Sequence, residues 1–84
     1  MSDSNTPLIY VKSGCPWCSE ATEFLDDHGI EYKTVDVHAD SKAFEEMKKI
    51  SGQSKAPTMV WNGEILADFG AAELEPWLRE RDLI

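Results

Sequence analysis

The two cysteines of the chain, Cys15 and Cys18, stand three positions apart in the segment SGCPWCSEA. A disulfide scaffold would distribute its cysteines along the chain, and a packing role would not place both on one turn of backbone. The spacing instead suits thiol–disulfide exchange, in which one thiolate attacks a disulfide and a second thiol resolves the mixed disulfide. The pair therefore indicates redox chemistry.

The elements around the pair explain how the two thiols would differ. The apolar residues 8–11 predict a buried strand, and residues 16–28 have helical spacing, with Pro16 suited to the first turn. Cys15 then lies at the amino end of this helix, where N–H groups and the helix dipole favour a thiolate. Cys18, one turn further, is expected to be more buried. This asymmetry makes Cys15 the attacking thiol and Cys18 the resolving thiol.

The next elements continue the alternation of strands and helices. The segment IEYKTVDV, residues 30–37, predicts a strand. A second helix follows, with Asp40 or Ser41 as its N-cap and Gly52 at its end. A strand–helix–strand beginning implies a right-handed crossover between parallel strands.

The second half of the chain predicts a hairpin and a last helix. Asn62 and Gly63 separate the segments APTMVW and EILAD, and Asn-Gly between apolar runs is a strong hairpin signal. Residues 70–84 predict a helix whose regular part begins near Pro76. The result is a single α/β domain over residues 1–84, in the order β-α-β-α-β-β-α. Three helices flank its mixed four-stranded sheet, and residues 1–6 are expected to be flexible.

The composition limits the class of partner. The chain has 84 residues, of which 42% are hydrophobic and 29% charged, which suits one globular domain. The 16 acidic and 8 basic residues give a net charge of −8, which argues against nucleic acid. Neither a signal peptide nor a membrane span is predicted, so we expect a cytoplasmic protein that does not bind membranes and is a monomer.

A metal site is not predicted. Structural zinc needs four ligands, and besides the two cysteines only His28 and His38 are available, both at positions that suit solvent or a helix end. An iron–sulfur cluster shared across a dimer, with outside thiols completing the ligand set, stays open.

The segment KAPT supports the redox interpretation. We predict that the Ala56–Pro57 bond is cis and lies opposite the Cys15 loop. A sharp turn there would present a peptide edge to an extended substrate.

Two segments, YVKSGCPWC and SGQSKAPT, make the chain resemble the glutaredoxins from Leu8 to about Leu78. The first matches the strand, lysine and Cys-Pro-aromatic-Cys motif of that family, and the second lies where the family has its Thr-Val-Pro loop. The resemblance implies the thioredoxin fold. It also implies glutathione as the reducing co-substrate, and protein disulfides and glutathione mixed disulfides as substrates of Cys15 and Cys18.

The resemblance also implies a glutathione site. Lys12 and Gln53 would bind the glycine carboxylate, and Ala56 would offer backbone hydrogen bonds beside Pro57. Trp17 replaces the commoner tyrosine, and it either packs on the substrate or covers the edge of the sheet.

Two departures from the family pattern concern the same site. Lys55 replaces the usual threonine, and the segment ADFGA stands where the family has Gly-Gly and paired acids that hold the amino end of glutathione. Asp68, or the backbone of Phe69 and Gly70, would have to substitute.

These departures leave other functions open. One is a redoxin that takes electrons from thioredoxin reductase and passes them to ribonucleotide reductase. Another is an iron–sulfur carrier, which Pro16 disfavours, and a third is a binding module whose cysteines are idle.

Overall fold

The computed structural model describes residues 6–84, so the flexibility expected for residues 1–6 falls largely on residues outside the described ones. The elements alternate as the sequence predicts: β1 Leu8–Val11, α1 Pro16–Asp27, β2 Lys33–Asp36, α2 Ser41–Ser51, β3 Thr58–Trp61, β4 Glu64–Ala67 and α3 Ala71–Glu80. The order β-α-β-α-β-β-α is confirmed, and the fold is the thioredoxin fold.

One mixed sheet of four strands organises the molecule, in the order β2-β1-β3-β4. β1 pairs in parallel with β2, while β3 pairs antiparallel with both β1 and β4. The β3–β4 hairpin turns at Asn62 and Gly63, which have φ angles of 53° and 80°. Both are left-handed, as an Asn-Gly hairpin turn requires.

The caps of α1 and α2 agree with their sequence signals. α1 ends at Asp27, one residue before the expected His28, whose N–H is bonded to the carbonyls of Phe24 and Leu25. Asp40 is the N-cap of α2, since its carboxylate accepts the N–H groups of the second and third helical residues at 3.0 and 3.2 Å. This contact decides between Asp40 and Ser41.

The predicted start of the last helix is wrong, because α3 begins at Ala71, five positions before Pro76. The carboxylate of Glu73 accepts the Gly70 N–H at 2.8 Å, and that of Glu20 accepts the Ala71 N–H at 2.9 Å. Pro76 removes a single helical bond, the one to the carbonyl of the exposed Ala72, which water can satisfy. Capping at Gly70 therefore determines where the helix begins.

Buried side chains form two clusters, one on each face of the sheet. The larger cluster contains Ile9, Ala21, Leu25, Met59, Trp61, Phe69, Leu74 and Leu78. The smaller one contains Tyr10, Val37, Ala43 and Met47. Ile50, an expected apolar position of α2, is 38% exposed and belongs to neither. Ile9 and Tyr10, neighbours in β1, belong to opposite clusters, so the strand packs on both faces of the sheet. This packing fixes the position of its carboxyl end, where the next loop begins.

Candidate active site

The loop between β1 and α1 is held against the carboxyl end of β2. The backbone of Val37 bonds to the carbonyl of Val11 at 2.8 Å. The Ser13 hydroxyl donates to the Asp36 carboxylate at 2.9 Å, and this bond is the main reason why the pKa of Asp36 lies below its ordinary value. Gly14, with a φ of 76°, turns the chain into α1 in a conformation that favours glycine.

Cys15 is the N-cap of α1, as the sequence predicts. Its sulfur accepts the backbone N–H of Cys18 at 3.2 Å and lies 3.9 Å from the carbonyl oxygen of Ala56. The first turn of α1 carries no acidic residue. The amino end of the helix is therefore available to stabilise a thiolate at Cys15.

Cys18 lies in a different environment, although it is one helical turn away. Only 5% of it is exposed, whereas Cys15 is half-buried, and both cysteines are free. Burial raises the pKa of the Cys18 thiol to about 11, with a further contribution from the hydrogen bond to Cys15. The backbone hydrogen bond and the ammonium group of Lys12 oppose that rise. The two thiols are therefore unequal: the outer one lies half-buried at the start of the helix, and the inner one is buried with a raised pKa.

An open groove of about 410 Å³ runs beside Cys15, and we call it the active-site groove. It is lined by Lys12, Ser13, Gly14, Cys15, Pro16, Trp17, Lys55, Ala56 and Asp68. Trp17 is 61% exposed at its rim. The Ala56–Pro57 bond is cis, which confirms that prediction. The groove thus gathers Lys12, Cys15, Trp17, Ala56 and Asp68 from distant parts of the sequence.

Gln53 lies apart from this groove. Its amide group donates to the carbonyl of Lys55 at 3.0 Å and to the Thr58 hydroxyl at 3.2 Å, and its oxygen accepts the Lys55 N–H at 2.6 Å. In this conformation the hydrogen bonds of Gln53 stabilise the loop before Pro57. Its role as a carboxylate ligand stays a prediction.

Phe69 is also set back, since its side chain is 3% exposed and belongs to the larger core cluster. It lines a small cleft of about 160 Å³ with Trp17, Asp68, Gly70 and Glu73. Because Phe69 as a whole is almost completely buried, its part in binding glutathione stays a prediction.

Glu20 is a residue that sequence reasoning missed. Its carboxylate reaches from α1 to the start of α3, and a Cβ atom on Gly70 would lie 2.7 Å from that carboxylate and 3.1 Å from the Trp17 ring. Gly70 therefore permits a close approach of α1 and α3. Glu73, three residues after Gly70, has the spacing of a capping box. No local pattern points to Glu20, because its partner is 51 positions away.

Residues 6–84 contain neither a cluster of metal-ligating side chains nor a long apolar helix. No group of three or more His, Cys, Asp and Glu side chains in this range is arranged to hold a metal ion. None of the helices in the same range has the length and apolar character needed to cross a membrane.

A thioredoxin fold with a free Cys-X-X-Cys pair at the start of α1 defines a thiol–disulfide oxidoreductase. The glutaredoxin family model matches residues 8–66, and the chain belongs to this family. The resemblance drawn from the two motifs is thereby confirmed.

Known proteins agree with this assignment. The chain is 37% identical to an uncharacterized glutaredoxin-like 8.6 kDa protein in the rubredoxin operon of Clostridium pasteurianum, over 80% of this chain and 89% of that protein. It is 30% identical to mitochondrial glutaredoxin-2 of Rattus norvegicus, over 96% of this chain but about half (52%) of the rat protein. The glutaredoxin (grx-1) of Archaeoglobus fulgidus shares the fold, with a TM-score of 0.76, 24% identity, and coverage of 89% of this chain and 87% of that one.

Proposed function

We propose that the chain uses glutathione to reduce protein disulfides and glutathione mixed disulfides. The observation that carries this proposal is the charge pattern of the active-site groove. The ammonium groups of Lys12 and Lys55 and the carboxylate of Asp68 line it beside Cys15, and Lys55 and Asp68 lie 4.0 Å apart. Glutathione carries carboxylates and an ammonium group, so both signs of charge on the ligand have a counterpart around the reactive thiol.

The proposed reaction proceeds in two exchanges. The Cys15 thiolate attacks one sulfur of the substrate disulfide, the substrate's S–S bond breaks, and the released thiolate takes a proton from solvent. Cys18, once deprotonated, attacks Cys15 in the mixed disulfide, and the second substrate sulfur leaves as a thiolate. The substrate is reduced by two electrons and the cysteine pair is oxidised. Glutathione then reduces the pair and becomes glutathione disulfide.

The proposed setting is the cytoplasm, with the chain acting as a monomer. Both cysteines are free, and the cytoplasm keeps thiols mostly reduced.

A second candidate is a redoxin reduced by thioredoxin reductase, with ribonucleotide reductase as a possible acceptor. The start of α3 favours it. The resemblance would put the amino end of glutathione near this segment, but the N–H groups of Gly70 and Ala71 are bonded to Glu73 and Glu20 of the chain itself. Those two donors are therefore not open to a carboxylate of the ligand.

A coupled assay separates the two candidates. The oxidised protein is offered NADPH with either glutathione and glutathione reductase, or thioredoxin reductase, and NADPH consumption is followed with a protein disulfide as acceptor. Turnover through glutathione supports the first proposal. Turnover through thioredoxin reductase alone contradicts it and supports the second.

The variant Lys12→Ala tests whether the active-site groove binds glutathione. We expect the KM for glutathione to rise about tenfold, because a hydrogen bond to a charged group contributes roughly 1.5 kcal/mol. Lys49→Ala is the matched control, since Lys49 is an exposed lysine of α2 and does not line the active-site groove. Equal KM values in the two variants would remove Lys12 from the glutathione site.

A further inference from the structure

A second cleft, of about 490 Å³, opens on the other side of Cys15, and we call it the hydroxyl cleft. Its walls include both cysteines and the hydroxyl-bearing residues Ser19, Thr22 and Thr34. Thr34 belongs to β2, whereas the active-site groove is built on the β3 side. Because β1 lies between β2 and β3 in the sheet, the two openings extend from the Cys15 loop toward opposite edges of the sheet, and they share the loop residues 12–16.

The two openings differ in their access to the inner thiol. Among the described residues, Cys15 lines both, but Cys18 lines only the hydroxyl cleft. A substrate joined to Cys15 and held in the active-site groove would therefore leave the approach to Cys18 open.

Cys18 must lose a proton before it can attack. It is buried, and its pKa of about 11 keeps the thiol protonated at neutral pH. The charged and titratable groups that act on it are Lys12, from the end of β1, and Cys15, from the start of α1. Cys15 is bonded to the substrate sulfur at this stage and the Lys12 ammonium is a hydrogen-bond donor, so the proton has to reach water or a small solute base.

We propose that the hydroxyl cleft is the route by which the Cys18 proton leaves while the substrate occupies the active-site groove. The Cys18 S–H bond breaks and water or a small base in the cleft takes the proton. The new thiolate forms the S–S bond to Cys15, and the bond between Cys15 and the substrate sulfur breaks. The Lys12 ammonium lines the cleft as well and stabilises the negative charge on Cys18 during this step. The inference rests on the two-thiol exchange and not on the identity of the reductant.

The experiment follows the resolving step alone. The protein is joined through Cys15 to a chromogenic aromatic thiol at acidic pH, where Cys18 stays protonated. The pH is then raised to neutral in a stopped-flow instrument, and release of the coloured thiol is recorded at several concentrations of imidazole. Ser19→Trp and Thr34→Trp fill the hydroxyl cleft from α1 and from β2. Glu23→Trp is the control, since Glu23 is exposed on α1 and lies outside the linings of both openings.

We expect release to slow by roughly tenfold or more in Ser19→Trp and Thr34→Trp, and to lose its dependence on imidazole, as for a blocked general-base step. Glu23→Trp should behave as the unmodified protein. Formation of the Cys15 adduct should be unchanged in all three, which shows that the outer thiol and the fold are intact. Release that stays fast and imidazole-dependent in both cleft variants would overturn the proposal. This result would leave the choice between glutathione and thioredoxin reductase untouched, because neither reductant is present.

Discussion

The amino ends of α1 and α3 lie next to each other, yet they are capped by different chemical groups. At α3, the carboxylates of Glu73 and Glu20 accept the first two backbone N–H groups at 2.8 and 2.9 Å. At α1, the first turn has no acidic residue, and the Cys15 sulfur accepts a backbone N–H at 3.2 Å. One helix start is capped by carboxylates, and the other is capped by a cysteine sulfur.

The difference shows how one physical effect serves two purposes. A helix start favours any anion, because its free N–H groups and its dipole point outward. At α3, and at α2 with Asp40, a carboxylate accepts these N–H groups and stabilises the helix. A thiolate in the same position is a nucleophile. Because the first turn of α1 has no acidic residue, the Cys15 sulfur is the group that caps the amino end of this helix.

The largest effect is expected when α1 is given the carboxylate cap that α2 has. Cys15→Asp should abolish thiol–disulfide exchange, because no outer nucleophile remains. Its free energy of unfolding should also be about 1 kcal/mol higher than that of Cys15→Ala, because the carboxylate retains the N-cap hydrogen bond. The coupled assay and urea unfolding measure the two effects. Residual exchange in Cys15→Asp, or stability no higher than in Cys15→Ala, would contradict the comparison.

The next change separates the two thiols. Cys18→Ser should keep turnover on glutathione mixed disulfides, which needs one attack by Cys15 and one release by glutathione. It should lose the two-thiol reduction of protein disulfides and accumulate a mixed disulfide on Cys15, which mass spectrometry can locate. Equal activity of Cys18→Ser on protein disulfides would show that Cys18 does not resolve them.

The environment of Cys18 can be tested by alkylation with iodoacetamide against pH in the Cys15→Ser variant. Burial raises the Cys18 pKa from 9.0, and the Cys15 contacts raise it further, to about 11. Loss of the Cys15 sulfur removes the second contribution but not the first. The alkylation midpoint should therefore fall between these two values. A midpoint below 9.0 would mean that Cys18, and not Cys15, is the activated thiol.

A smaller effect is expected at α2, where the cap has no chemical role. Asp40→Ala should lower the free energy of unfolding by about 1 kcal/mol and leave exchange activity unchanged. Asp40→Asn is the control, because asparagine is an equally good N-cap residue. Urea unfolding of the two variants gives the difference. A large loss of activity in Asp40→Ala would show that α2 contributes to the site.

The smallest effect should come from the charge at the start of α3. Glu20→Gln keeps a side-chain oxygen that can accept the Ala71 N–H but removes the charge, which we expect to cost about 0.3–1 kcal/mol at low ionic strength. Glu23→Gln changes the charge of the same helix without touching α3. If the destabilisation is equal in the two variants, or does not shrink with added salt, the helix-start explanation fails.

Most of the fold was predictable because its signals are local. The Asn62-Gly63 turn, the end of α2 at Gly52 and the position of Pro16 each follow from the backbone preferences of one or two residues. The start of α3 was predicted wrongly for the opposite reason. Pro76 is a strong local signal, but the cap that begins the helix includes Glu20, which lies 51 positions from its partner.

The amino-acid sequence by itself determined the order of the elements, the redox-active pair and the place of Cys15 at a helix start, because each depends on residues within a few positions. The greater burial of Cys18 was also predicted and is confirmed. Tertiary structure alone decided the internal bonding of Gln53 and the two openings beside the thiols. The contact between Cys15 and Ala56 spans 41 positions, for example. Burial and charge at a site depend on which distant segments pack against it, and spacing along the chain does not carry that information.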